Sequence, residues 1–229
     1  MKIAIMGAMV EEIEPLLEKM REVKSFELAD NIYYEARYKG IDTVIAYSKI
    51  GKVYASLTAS LMIERFKAQK LLFSGVAGAI NDELKIGDLI VAKKLCQHDL
   101  DITAFGHPYG YVPEGKVYVE SDKELLFLAK EVAKEKKIEL KDGIIATGDQ
   151  FIADPKRKEW IRETFNADAL EMEGAAVAVV CDALDVPFFI LRAISDAADM
   201  DAGFDFDTFL KSSSRRSADF IISMLDKMA

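Results

Sequence analysis

The sequence predicts an α/β fold with a mixed central sheet flanked by helices, and two observations carry that prediction. Short runs rich in isoleucine and valine alternate along the chain with longer stretches of helical periodicity, the order that builds a sheet covered by helices. The 229 residues are 51% hydrophobic and 30% charged, which is globular composition with apolar material enough for a sizeable interior. No composition shift, internal repeat or low-complexity tract marks a boundary, so residues 1–229 are expected to form a single domain.

Taken in order, the short apolar run Lys2–Met6 reads as a strand, and Val10–Arg21, with apolar residues at helical spacing, as a helix. Ile32–Tyr38 and Thr43–Ser48 read as a strand pair around the Lys39-Gly40 turn, and Gly51–Phe66 as a helix. Further strands are expected at Lys70–Ser74, Asp88–Leu95, Lys141–Thr147 and Pro187–Ile194. Further helices are expected at Ser121–Lys136, Pro155–Thr164, Glu173–Leu184 and Phe206–Lys227.

Charge and composition exclude several partners. With 30 basic against 39 acidic side chains the net charge is -9, and no Lys/Arg cluster forms a phosphate-tracking stripe, so neither nucleic acid nor an anionic membrane is expected. Cys96 and Cys181 lack the spacing of a metal site or redox pair and are expected as buried free thiols in a reducing cytoplasm. The first apolar run is too short for a signal peptide, and no run reaches the length of a membrane span. His98 and His107, the only histidines, have no partner set for zinc and are expected on the surface or in loops. No G-x-S-x-G occurs, which disfavours serine hydrolysis.

In sheets of this kind the ligand sits beyond the carboxyl ends of the strands. Polar residues cluster at those ends: Glu11-Glu12 after Gly7-Ala8-Met9, the run Ser74-Gly75-Val76-Ala77-Gly78, the run Thr147-Gly148-Asp149-Gln150-Phe151, and Arg192-Ala193-Ile194-Ser195-Asp196. Each admits a plain reading. Glu12 complements a helix dipole or acts as a base. "SGVAGA" is a tight turn, or a wall of small residues that a flat ring can approach. Ser195-Asp196 caps a helix, or Asp196 stays protonated in a poorly solvated cleft and acts as an acid. In "ALEMEGAAVAVV", Glu171 and Glu173 precede a helix with no evident solvent face. Carboxylates there are dipole partners, or they need an amide, an arginine or a ligand.

In order and spacing the segments MKIAIMGAMVEEI, SKIGKV, FSGVAGAI, DLDITAFGHPYGYVP, TGDQFI, EMEGAAVAVVC, VPFFILRAISDAAD and FDFDTFL resemble the bacterial 5′-methylthioadenosine/S-adenosylhomocysteine nucleosidases of the nucleoside phosphorylase fold. That family hydrolyses the N-glycosidic bond between adenine and a 5′-substituted ribose, without a cofactor or metal. The resemblance implies that Glu12 takes a proton from the attacking water. It implies that Asp196 protonates adenine N7, with Ser195 orienting its carboxyl group and Arg192 near the water. Glu173 would hold the ribose hydroxyls while Met172 packs on the sugar. Phe151 would flank the adenine, and the Ile152 backbone would read its edge. Ile50 and Phe206 would line the 5′ pocket, with Ala8, Met9, Val76 and Gly78 completing the walls. Ile102, Phe105 and Pro113 would reach into a partner subunit's site, implying a homodimer. Glu171, on the opposite side if the segment is helical, would have a more structural role.

A purine nucleoside phosphorylase of the same fold is the main alternative. It needs cations for phosphate, and where phosphorylase relatives carry arginines this chain has Gly7-Ala8-Met9-Val10-Glu11-Glu12 and Phe73-Ser74-Gly75. A non-catalytic nucleoside-binding protein would need no acid–base pair. Val76 stands where many family members have serine. The motifs SKIGKV, FSGVAGA and GHPYGYVP are most similar to the branch that also cleaves 6-amino-6-deoxyfutalosine, an intermediate in menaquinone biosynthesis. That likeness implies tolerance of several 5′ groups, 5′-deoxyadenosine included, alongside a part in methionine salvage.

Overall fold

The computed structural model describes residues 1–198 and 201–229. Asp199, the last residue of the RAISDAAD motif, lies outside the described residues. The first part of the chain forms β1 (Lys2–Gly7), α1 (Val10–Leu17), β2 (Arg21–Leu28), β3 (Asn31–Tyr38), β4 (Ile41–Tyr47), α2 (Lys52–Glu64), β5 (Lys70–Ala79) and β6 (Leu89–Gln97). The remainder forms β7 (Val119–Glu120), α3 (Lys123–Lys136), β8 (Leu140–Thr147), α4 (Pro155–Phe165), β9 (Ala169–Glu171), α5 (Gly174–Ala183), β10 (Phe188–Asp196) and α6 (Ala202–Met228).

The strands join in the order β10-β6-β8-β9-β5-β1-β4-β3-β2, with β7 on β6. Because β10 also pairs with β5, the five strands β5, β10, β6, β8 and β9 close on themselves, and β1, β4, β3 and β2 extend from that ring as an open wing. The sheet is mixed, as expected: β5 runs parallel to β1 and β10 and antiparallel to β9. Buried along nearly their whole length, β1 and β5 read as continuous apolar runs, the signature of strands covered on both faces. At the far edge of the wing β2 is exposed along almost its entire length, and its charged residues suit an unpaired edge.

Helices cover both faces. On one side α1, α3 and α6 pack Ile13, Leu16, Leu125, Val132, Phe220 and Met224 against the sheet. On the other, α2 and α5 contribute Ala55, Ala59, Met62, Val177, Ala178 and Cys181. The expected burial of α5 holds from Gly174 to Ala178 and at Cys181. Both cysteines are free and buried. Among the described residues no helix is long and apolar enough to cross a membrane.

Several sequence expectations need correction. The first helix ends at Leu17, not Arg21, because Arg21 begins β2, a strand with no buried face to announce it. "SGVAGA" is no turn: β5 continues through it to Ala79, paired with β10 across Gly75–Gly78. Ser195-Asp196 does not cap a helix, since β10 runs through Asp196 and α6 starts at Ala202. Glu171 ends a strand and is not helical. His98 lies in the turn after β6, a loop as expected, but not at the surface: it is 1% exposed and packs against Gly148, where a Cβ would lie 2.3 Å from the imidazole. Burial pushes its pKa down to about 4, so it stays neutral and packs as an aromatic ring.

Candidate active site

The carboxyl ends of β1, β5, β8, β9 and β10 meet around a cavity of about 440 Å³. Ala8, Met9 and Glu12 form its wall after β1, Val76 and Gly78 its wall on β5, and Ser195 and Asp196 its wall on β10. Phe151 and Ile152 enter from the loop after β8, Met172 and Glu173 from the β9–α5 junction, and Ile50 and Phe206 from the starts of α2 and α6. All of these were anticipated from the sequence. Gln150 and Glu171, which the sequence placed at strand ends without a ligand contact, also line the cavity, as does Asp207, which the sequence did not single out. Arg192 stands behind the wall, almost fully buried. Ile102, Phe105 and Pro113 lie apart on the segment between β6 and β7, where Phe105 is 81% exposed.

Glu12 is fixed by backbone amides. Its Oε2 accepts from Ala8 N at 2.5 Å and Met9 N at 3.1 Å, and its Oε1 from Val76 N at 3.0 Å. Burial pushes its carboxyl above the ordinary value, while the Arg192 charge and the three amides pull it back. The result is a carboxylate more basic than one in water. Two glycines make the approach feasible: a Cβ on Gly75 would lie 2.8 Å from Glu12 Oε1, and one on Gly7 2.9 Å from its Cβ.

Asp196 occupies the opposite wall. Ser195 Oγ donates to its Oδ2 at 2.8 Å, Ala198 N donates to its Oδ1 at 2.9 Å, and the Ala77 carbonyl lies 3.4 Å from the same hydroxyl. Gly78 is pressed against it, since a Cβ there would come within 2.6 Å of Oδ1.

The β9–α5 junction holds two acids with different surroundings. Glu171 accepts from Thr147 Oγ1, from Arg192 Nη2 at 2.6 Å, and from the amides of Glu173 at 3.2 Å and Gly174 at 2.7 Å. The Arg192 guanidinium also stacks 4.0 Å from the centre of the Phe73 ring. Glu173 accepts from Gly51 N at 2.9 Å. Burial, followed by the charge of Glu171, pushes its pKa up to about 8. At the mouth, Phe151 and Phe206 meet edge to face at 5.8 Å.

The arrangement suits a flat, uncharged ring beside a polar sugar: small residues and aromatics form one part of the wall, and carboxylates converge on the other. Among the described residues no lysine or arginine lines the cavity. Sequence reasoning assigned Glu171 a structural role and left an amide, an arginine or a ligand as its partner; the structure supplies two amides and Arg192. These contacts make Glu171 the anchor of the buried Arg192, and the acidic pair followed by a small-residue helix was the signal available for it.

Comparison with known proteins agrees with this geometry. Residues 2–226 match the phosphorylase superfamily model. The chain is 60% identical over 228 residues to the aminodeoxyfutalosine nucleosidase of Campylobacter jejuni, covering 100% of both chains. It is 38% identical to the 5′-methylthioadenosine/S-adenosylhomocysteine nucleosidase of a Geobacillus species, covering 100% of this chain and 99% of that one. The solved structure of futalosine hydrolase of Helicobacter pylori superimposes with a TM-score of 0.98 at 49% identity, covering 99% of this chain and 97% of that one. Matched across nearly its whole length in sequence and in fold, the chain belongs to the phosphorylase superfamily, among its methylthioadenosine/S-adenosylhomocysteine and aminodeoxyfutalosine nucleosidases.

Proposed function

We propose that this protein hydrolyses the N-glycosidic bond of 5′-substituted adenosines and releases adenine. Its substrates are 5′-methylthioadenosine, S-adenosylhomocysteine, 5′-deoxyadenosine and 6-amino-6-deoxyfutalosine. The observation that carries the reading is the pair of acids on facing walls: Glu12, raised by burial and aimed by three amides, and Asp196, held by Ser195 and Ala198. Adenine leaves poorly as an anion. In this reading Asp196 gives its proton to adenine N7 as the bond from C1′ to N9 breaks and its electron pair moves into the ring. Water then bonds to C1′ and loses a proton to Glu12. A positioned acid or base contributes about 10²–10⁴ in rate. Positive charge developing on the ribosyl centre is stabilised by the surrounding carboxylates. Glu173 accepts from the ribose hydroxyls, Met172 packs on the sugar, and Arg192 holds Glu171 from behind the wall.

A phosphorylase reading is disfavoured on charge. Phosphate needs cationic donors, whereas the cavity wall carries acids and the buried guanidinium of Arg192 is engaged by Glu171.

The reading extends to a homodimer of the single 1–229 domain, working in the cytoplasm in methionine salvage and menaquinone biosynthesis. Phe105 is exposed, and so are Val53, Tyr54 and Leu57 on one face of α2 next to Ile50. An apolar stripe of that kind suits an interface.

The test is adenine release from the purified protein with each substrate, with and without phosphate, alongside Asp196→Asn. Phosphate-independent release that is lost in the variant while ligand binding persists is expected. Release only with phosphate overturns the hydrolase, and no release by the wild type overturns the enzyme.

A further inference from the structure

The amide that steers Glu173 is itself held by residues outside the cavity. Gly51 stands at the start of α2 with φ 101°, in the region that favours glycine, and its N–H donates to Glu173 Oε1. The first turn of α2 has no acid and no cap from Gly51. The cap comes from another element: Lys52 N donates to Asp149 Oδ1 at 2.8 Å, in the loop after β8. Asp149 N donates to Asp99 Oδ2 at 2.8 Å, and Asp99 Oδ1 accepts from Lys52 Nζ at 2.7 Å. The same ammonium reaches Gln97 Oε1 at 3.1 Å. Lys52, Asp99 and Asp149 therefore form a closed ring of hydrogen bonds across three elements, with Gly51 fixed to its rim. A carboxylate at a helix N-terminus satisfies an orphan amide and meets the positive end of the dipole.

We propose that Asp149 is a positioning residue: by capping α2 it fixes the Gly51 amide that orients Glu173 toward the ribose. This rests on the reading that Glu173 holds the ribose hydroxyls. Asp149 itself does not line the cavity, so it acts only through the Lys52–Gly51 backbone. Holding Oε1 restrains the carboxylate, and one left to swing would grip the sugar in only part of its orientations.

The experiment compares kcat/KM for 5′-methylthioadenosine and its 3′-deoxy analogue in wild type, Asp149→Ala, Asp149→Asn and Asp99→Asn. The intrinsic reactivity of the deoxy compound cancels in ratios between proteins, which isolates coupling to the hydroxyl. Asp149→Ala is expected to lose about tenfold on the natural substrate, the worth of one charge-assisted hydrogen bond, and little on the analogue. Asp149→Asn keeps an acceptor oxygen and is expected within about threefold of wild type on both. Asp99→Asn loosens the ring without removing the cap and is expected to show the same selective loss at smaller size, which carries the test should Asp149→Ala not fold. Equal losses on both substrates in the folded variants, or no loss on either, overturn the positioning role. A wild type indifferent to the missing hydroxyl overturns the Glu173 reading and the inference with it.

Discussion

Glu171 and Glu173 stand two residues apart in one cavity wall, both nearly buried, and their surroundings differ in kind. Glu171 is saturated by a hydroxyl, a guanidinium and two amides, whereas Glu173 receives the single Gly51 amide. A buried carboxylate with all its partners inside the protein holds structure, and one with partners missing awaits a ligand. That difference separates anchor from grip more clearly than burial does.

The largest effect is expected from Glu171→Ala. It removes the salt-bridge partner of the buried Arg192 beside Phe73, at a cost of about 3–5 kcal/mol. Chemical unfolding measures it, and a variant as stable as wild type would erase the contrast. Glu173→Gln should instead fold normally while turnover falls about 10²–10³-fold, the scale for losing one preorganised polar group. The pH dependence sharpens the distinction. Glu173 is pushed from 4.5 up to about 8 by burial and by Glu171, so the folded state binds its proton more tightly than the unfolded chain. Stability of the ligand-free protein must then fall as pH rises across that window. Urea unfolding at about pH 5 and about pH 8 should show a steeper fall in wild type than in Glu173→Gln, with Glu12, raised in the same direction, leaving a residual slope. An identical slope in both would remove the titrating role of Glu173.

Asp196 lies between the two extremes, partnered but pressed by Gly78. Gly78→Ala places a methyl against Oδ1 and is expected to cost about 10²-fold in kcat, the scale of a displacement of roughly 1 Å, with less effect on KM. The smallest change in stability belongs to the rim. Phe105→Ala should alter unfolding by less than about 0.5 kcal/mol in the monomer, yet weaken association in sedimentation. Unchanged association would sink the proposed dimer contact.

Much of this site was legible because strand ends announce themselves. Glu12, Ser195 and Asp196 follow apolar runs too short for helices, and polar residues after such runs fall at the carboxyl edge of the sheet. What escaped had no local signature. The closure of β10 onto β5 pairs segments more than a hundred residues apart, and alternation in one strand says nothing of its distant neighbour. With neither face buried, β2 carries no binary pattern. The small residues of "SGVAGA" mimic a turn because the strand accommodates Glu12 and Asp196 where side chains would stand. His98 was expected on the surface or in a loop, and its burial within a turn escaped because sequence gives no hint of a ring wedged against Gly148.

One strand sets the distance between the two proposed catalytic acids. Val76 N–H holds Glu12, the Ala77 carbonyl faces Ser195, and Gly78 abuts Asp196, so three consecutive residues of β5 reference both sides of the reaction. At about 3.3 Å per residue, the strand works as a ruler between the base and the acid. Its gradations are pinned by β10 along one edge and, from Gly78 onward, by β9 on the other. A slip of one residue would turn every side chain to the opposite face, so the spacing of the chemistry is as rigid as the pairing of the sheet.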